Sequence, residues 1–205
     1  MSSISIIGTG SMARTIGALA VAGGNTVEIM GRDQAKAADL ATTLGATTGE
    51  WGAVPVGDIV IVAVPYAGVV PAITHYGKAL AGKVIVDISN PFNADADGLA
   101  HGEGTSAAQE IADVAPAGAS VVKAFNTIFQ PVLEKGRPAV FIAGDDAPSK
   151  AAVAAFVESL RLRPLDAGGL AMAYWLEGAG LLTMGLARHG VGHWDFALGV
   201  TEFSG

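Results

Sequence analysis

The stretch Gly8-Thr9-Gly10-Ser11-Met12-Ala13 has the residue types and the spacing to hold a double phosphate. In a G-x-G-x-x-A turn, Gly8 allows a tight passage from strand to helix and Gly10 lets the backbone come close to an anion. Ala13 is small enough for the helix to pack on the strand. The unpaired N–H groups at the start of the helix would face the phosphates, with the hydroxyls of Thr9 and Ser11 as further donors. The flanking elements occur in the required order. Ile4, Ile6 and Ile7 make a β-branched run before Gly8, and Met12, Ala13, Ile16, Leu19 and Ala20 have a helical spread after it. A second strand, Thr26-Val27-Glu28-Ile29-Met30, follows at the distance a βαβ unit needs. The expectation is a dinucleotide site, not merely a glycine turn.

The end of that second strand bears on which dinucleotide it is. NAD-binding versions carry an acid there for the ribose hydroxyl, but this chain reads Met30-Gly31-Arg32-Asp33. Gly31 in place of the acid removes a repulsion that a 2′-phosphate would feel, and the Arg32 guanidinium can grip that phosphate through paired hydrogen bonds. Lys36, on the next helix, adds a second positive charge. The reading is NADP(H). Two other roles stay open for Asp33, as the N-cap of the next helix or as a displaced ribose acid.

The elements that must carry this site read as a doubly wound, mostly parallel α/β sheet. Gln34 to Leu44 is a helix stopped by Gly45, and Thr47 to Val56 is irregular with a short edge strand. Asp58 to Val64 is a continuous apolar run, the pattern of a central parallel strand covered on both faces, and Pro65 ends it. Lys83 to Ile88 repeats it after a helix over roughly 68–80; Val121 to Phe125 and Ala139 to Ala143 are further strands. A helix from Asp145 to about Leu160, a strand near Arg163-Pro164-Leu165-Asp166 and a last helix over about 170–187 complete the chain. Residues 1–145 are read as the nucleotide-binding domain. Residues 146–205 are read as a small, largely helical extension packed on it, with one continuous domain as the alternative.

Ligands of such sheets lie at the carboxyl ends of the strands. Those ends are Val64-Pro65-Tyr66, Ser89-Asn90-Pro91-Phe92-Asn93 and Phe125-Asn126-Thr127-Ile128, all rich in residues suited to a pocket wall.

With 205 residues, 51% of them hydrophobic, a mean hydropathy of +0.46 and no uninterrupted apolar stretch of membrane-spanning length, the apolar residues are assigned to a core. The start, Met1-Ser2-Ser3, lacks a basic leader, and the absence of cysteine excludes disulfides and thiolate chemistry, in keeping with the cytoplasm. A net charge of −7 with 12 scattered basic residues leaves no footprint for nucleic acid.

Nothing in the chain reads as a catalytic triad. His189 and His193 are four apart with Asp195 near, but Gly190 and Gly192 break the helix that would align them, so no metal site is expected. His75 reads as a surface residue, His101 as part of a mobile His-Gly-Glu-Gly loop, and Lys123 as part of a strand interior.

Taken together, Gly8 to Ala13, Gly31-Arg32, Val64-Pro65-Tyr66, Asp87-Ile88-Ser89-Asn90-Pro91, Val122 to Thr127 and Arg163 to Gly168 resemble the coenzyme F420-dependent NADP oxidoreductase family. The resemblance runs from Ile4 to about Leu186 and implies hydride transfer between NADP(H) and a deazaflavin (F420) or a flavin such as FMN or FAD. It implies that Thr9, Ser11 and Met12 meet the pyrophosphate, and Gly31, Arg32 and Lys36 the 2′-phosphate. Val64, Pro65 and Ala124 would lie along the ribose and nicotinamide, while Asn90, Phe125, Asn126 and Thr127 border the acceptor ring. His189 to Gly205 falls outside the resemblance and is the part free to complete the acceptor site. Hydride transfer between rings needs orientation and exclusion of water more than a nucleophile, so a chain without a triad fits. Two other readings are a non-catalytic NADP(H) sensor or subunit, and a reductase of a small carbonyl or imine with Tyr66 as the acid. The apolar last helix, with Gly178 and Gly185 on nearly one face, and the resemblance itself lead to a homodimer as the expected assembly.

Overall fold

The computed structural model describes residues 1–203; Ser204 and Gly205, which end the tail and the carboxy-terminal part set out above, lie outside the described residues. The strands are β1 (Ser3–Ile7), β2 (Thr26–Met30), β3 (Thr47–Gly49), β4 (Ile59–Val62), β5 (Val84–Asp87), β6 (Ser120–Lys123), β7 (Ala139–Gly144) and β8 (Arg163–Gly168). The helices are α1 (Ser11–Ala22), α2 (Gln34–Leu44), α3 (Val69–Tyr76), α4 (Ala107–Val114), α5 (Ala147–Ser159) and α6 (Ala173–Gly185). All eight strands form one sheet in the order β3-β2-β1-β4-β5-β6-β7-β8. Neighbours are parallel throughout except β6 and β7.

Alternate residues of each central strand feed two cores, which is why these runs are apolar without interruption. Ile59 and Ile61 of β4 pack with α1, α2 and α5, whereas Val60 and Val62 pack with α3, α4 and the start of α6. The chain leaves β1 toward β2 on one side and returns to β4 on the other, so the switch point falls at the carboxyl end of β1, beside Gly8.

Local signals set the boundaries. Gly45 ends α2 with φ 68°, and Asp146 caps α5 by accepting from the Ser149 N–H at 2.9 Å. Helix α4 is an element the sequence reading passed over. Its capping pattern was present, since Ser106 accepts from the Gln109 N–H at 3.2 Å and bonds the Gln109 side chain.

The last helical run also differs from expectation. Residues 170–190 are continuous in helical form and, at 21 residues with a mean hydropathy of 1.2, long and apolar enough to cross a membrane. In the fold they carry buried Glu177, which meets Lys123 of β6, and buried Thr183, whose hydroxyl donates to Ala179 O of the same helix. Asp145, just after β7, anchors the start of this run by accepting from the Leu170 N–H at 2.7 Å. Because β7 is antiparallel, α6 begins at the amino-terminal edge of β6 and climbs toward the carboxyl ends of β5 and β6.

Candidate nucleotide and acceptor site

Gly8 adopts φ 134°, and a Cβ there would be driven into the carbonyl oxygen of Ala63. Only glycine holds this turn. Its N–H donates to Met30 O at 2.8 Å, locking the end of β1 to the end of β2. Gly10 is the N-cap of α1, with no side-chain cap and nothing within 4 Å of where its Cβ would lie. The first N–H groups of α1 thus open onto free space, the arrangement an anion uses. Thr9, Gly10, Gly31, Arg32, Lys36, Val64 and Pro65 line this cleft of about 560 Å³ together with Gly8, Asp33, Trp51 and Ala63. Ser11 and Met12 sit on the first turn of α1, and Ala13 is fully buried against the strand.

Asp33 resolves as the helix cap. Its carboxylate accepts from the Lys36 N–H at 3.1 Å and pairs with the Lys36 ammonium at 3.3 Å. The backbone N–H and the ammonium of Lys36 hold this carboxyl below the usual range. Arg32 is exposed at the cleft and has no ion pair among the described residues. The cleft therefore fits a nucleotide with a phosphate at this end: an open helix N-terminus, room where Gly10 lacks a side chain, and a free guanidinium in place of a ribose acid.

A second cleft of about 550 Å³ shares Arg32, Trp51, Val64 and Pro65 with the first. His75 and Trp51 stack there, 5.3 Å between centroids and 19° between planes. Trp51 lay in a segment read only as irregular, so sequence reasoning missed it.

Tyr66 turns from the rim toward α4, and its hydroxyl donates to Glu110, 2.9 and 3.0 Å from the two carboxylate oxygens. Burial first, and the Glu110 carboxylate next, push the phenol up to about 12.

At the ends of β5 and β6 two asparagines lock together. Asn90 donates to Asn126 O at 2.7 Å, and Asn126 donates to Asn90 Oδ1 at 3.0 Å and to Leu176 O of α6 at 2.8 Å. The buried atoms Asn126 Oδ1 and Ser89 Oγ have no partner among the described residues. Gly180 is the glycine of α6 that permits this contact, since a Cβ would lie 2.7 Å from Asn90 Oδ1. Gly178 and Gly185, singled out from the sequence, face open space within the chain. Ala124 and Thr127 are buried. Phe125 buries its ring in the core, 6.4 Å from that of Phe156, and bends at φ 62°. That left-handed backbone is costly for a bulky residue, on the order of 1–3 kcal/mol, and leaves Phe125 to shape the pocket through its main chain.

Beneath the asparagines lies a network that the sequence reading did not assemble. Lys123 is wholly buried, and its ammonium donates at 2.7 Å to Asp87, to the Ser89 carbonyl and to Glu177. With three N–H groups and three acceptors it has no proton left for a ligand, so its role is to tie β5, β6 and α6 together. His101 contacts the other Glu177 oxygen at 2.7 Å with its side chain buried, which fixes the loop expected to be mobile. The available signals were a lysine and an aspartate in apolar strands at facing register positions, and a lone acid in an apolar helix. His189 lies in the π-helical turn Leu186–Gly190, so the helix runs through Gly190 and ends before His193, whose Nδ1 accepts from the Asp195 N–H at 3.1 Å. No group of three potential metal ligands occurs among the described residues.

A family model described as NADP oxidoreductase, coenzyme F420-dependent, matches residues 3–91, from β1 to the asparagine rim. Over that segment the chain is similar to that family. It is 32% identical over 178 residues to the metalloreductase STEAP3 of Rattus norvegicus, covering 85% of this chain and 35% of the relative. The chain thus spans about a third of that protein's length. Among solved structures it is similar to a proposed F420-dependent NADP-reductase from Arthrobacter sp. FB24, with TM-score 0.87, 25% identity and coverage of 98% and 100% of the two chains. A hypothetical protein from Sinorhizobium meliloti superposes with TM-score 0.74 at 26% identity, covering 83% and 87%. An imine reductase from Streptomyces aurantiacus, with TM-score 0.69 at 17% identity over 92% of this chain and 63% of its own, shares the fold alone. The eight-stranded sheet, the helices on its two faces and the cleft at its switch point make the fold Rossmann-like.

Proposed function

We propose that this protein transfers a hydride between NADP(H) and a planar ring acceptor, a deazaflavin of the F420 class or a flavin. The observation that carries the reading is the cleft that ends in Gly31 and free Arg32, at the same carboxyl edge of the parallel strands as the asparagines that follow β5 and β6. In this reading the α1 N-terminus, Thr9 and Ser11 hold the pyrophosphate, and Arg32 holds the 2′-phosphate with Lys36 beside it. Val64 and Pro65 form the wall along the nicotinamide half, and Asn90 and Asn126 form the polar edge against the acceptor. Bound NADPH supplies one hydride, with its two electrons, and the acceptor takes up that hydride and one proton from water. The chain's task is alignment and exclusion of water.

Tyr66 argues against a carbonyl or imine substrate. A general acid works best with a pKa near the working pH, and this phenol is committed to Glu110 and pushed up to about 12. A homodimer in the cytoplasm remains part of the proposal, with exposed Trp175 and Leu182 and open Gly178 and Gly185 on α6 as its contact face. The test is oxidation of NADPH by the purified protein with F420 and with FMN. A rate with either, and none with small imines or ketones, supports the reading. Tight NADPH binding without turnover would favour a sensor.

A further inference from the structure

The chain after α6 crosses the carboxyl ends of the strands, and its contacts trace the path. Leu176 and Gly180 of α6 lie on Asn126 and Asn90. Beyond the turn Leu186–Gly190, Ala197 forms an antiparallel bridge with Ile128, two residues past Asn126. Asp195 pairs with Lys135 at 2.8 Å, and Arg163 of β8 donates to the Val200 carbonyl at 3.2 Å and to Glu202 at 3.1 Å. The segment is thus a strap that starts on the α3/α4 face and comes to rest on the α1/α5 face. There Gln130 donates to Thr15 of α1 at 2.7 Å.

The strap brings aromatic side chains to this place. Phe129 meets Trp194 edge-on at 5.1 Å and 81°, and Phe196 at 5.7 Å and 74°. Trp194 is nonetheless 46% exposed. A T-shaped contact leaves at least one face of the indole without an aromatic partner. Two residues before Ile128, Asn126 is 6% exposed and its Oδ1 is a buried acceptor with no donor among the described residues. A buried polar atom without a partner is costly and points to a missing group.

We propose that the strap is the far wall of the acceptor site: Trp194, set by Phe129, stacks on a heteroaromatic ring, and Asn126 Oδ1 accepts from an N–H on that ring's edge. Flavins and deazaflavins share this chemistry, a flat apolar body with an edge of N–H and C=O groups. The inference rests on the ring-acceptor reading above and adds a residue outside the segment that matches the family. It assigns acceptor binding to the strap and cofactor binding to the cleft, so the two separate by mutation.

The experiment is equilibrium dialysis of FMN and of F420 against the protein saturated with NADP⁺, comparing wild type, Trp194→Ala and Trp194→Phe. NADPH affinity and thermal unfolding are measured on the same samples. Loss of a stacking partner predicts about tenfold weaker ring binding in Trp194→Ala, recovery in Trp194→Phe, and unchanged NADPH affinity and unfolding temperature. Equal ring binding by all three proteins overturns the strap proposal and leaves the ring-acceptor reading intact. No ring binding by wild type, with NADPH binding normal, overturns both. A parallel loss of NADPH affinity in Trp194→Ala also overturns the proposal, because it would place Trp194 in the cofactor cleft or in the general packing.

Discussion

Replacing Lys123 by Met tests the network that holds the acceptor end of the sheet together. Methionine has about the length of lysine and no charge, so the change removes three hydrogen bonds of 2.7 Å with little change in volume. Asp87 keeps the Ser89 N–H at 2.9 Å, and Glu177 keeps the Ala107 N–H at 3.0 Å and its contact with His101. Two buried carboxylates then face each other's site without their shared cation. Removing one partner of a buried ion pair costs about 3–5 kcal/mol. For a chain of this size each kcal/mol lowers the melting temperature by about 2–4 °C, so a fall of about 6–20 °C is expected by circular dichroism at neutral pH. Adding Glu177→Gln should recover part of the loss, because one unpaired carboxylate goes with the cation, and the coupling should be about 0.5–3 kcal/mol. A Lys123→Met protein melting within about 3 °C of wild type would refute the view that this cation binds β5, β6 and α6 into one unit.

Arg32→Ala should weaken NADPH binding by about 10- to 150-fold, the worth of a charge-assisted hydrogen bond or pair, and leave NADH binding little changed; equal losses for both would remove the 2′-phosphate assignment. Gly180→Ala places a methyl 2.7 Å from Asn90 Oδ1 and should cost about 1–3 kcal/mol by overpacking, with acceptor KM raised and NADPH affinity kept; an unaltered melt would contradict the packing described. Tyr66, at about 12 against an ordinary 10.0, should appear as a late step in tyrosinate absorbance. Because the unfolded chain ionises first, this group's contribution to stability is complete below pH 10 and falls as pH rises toward 12. Glu110→Gln should bring the step down only in part, since burial is the larger cause, and a step that did not move would rule out the carboxylate's share.

The phosphate end of the site was legible in the sequence because its demands are local. A strained turn at Gly8, an open Gly10 and a helix start lie within six residues, and Gly31-Arg32 follows at a fixed spacing. The acceptor end was legible only as a rim. Its framework joins Asp87, Lys123, Glu177 and His101, residues brought together by sheet register and by α6, and no short-range pattern encodes such a meeting. The glycines of α6 show the same limit. Helical spacing pointed to Gly178 and Gly185, but Gly180 is the one whose missing side chain the neighbouring asparagines require. The direction in which a helix presents a small residue depends on how the helix docks, and the docking is set by the buried charges. Trp194 and its strap lay beyond the reach of any pattern because an isolated bridge and two edge-on rings leave no periodicity.

The most direct measurement is NADPH oxidation by the purified protein in parallel reactions with F420, FMN and FAD, with NADPH and NADH binding titrated alongside. The account predicts tighter binding of NADPH than of NADH and turnover with at least one of the rings. Equal affinity for the two nucleotides, or tight NADPH binding with no turnover by any ring, would contradict it.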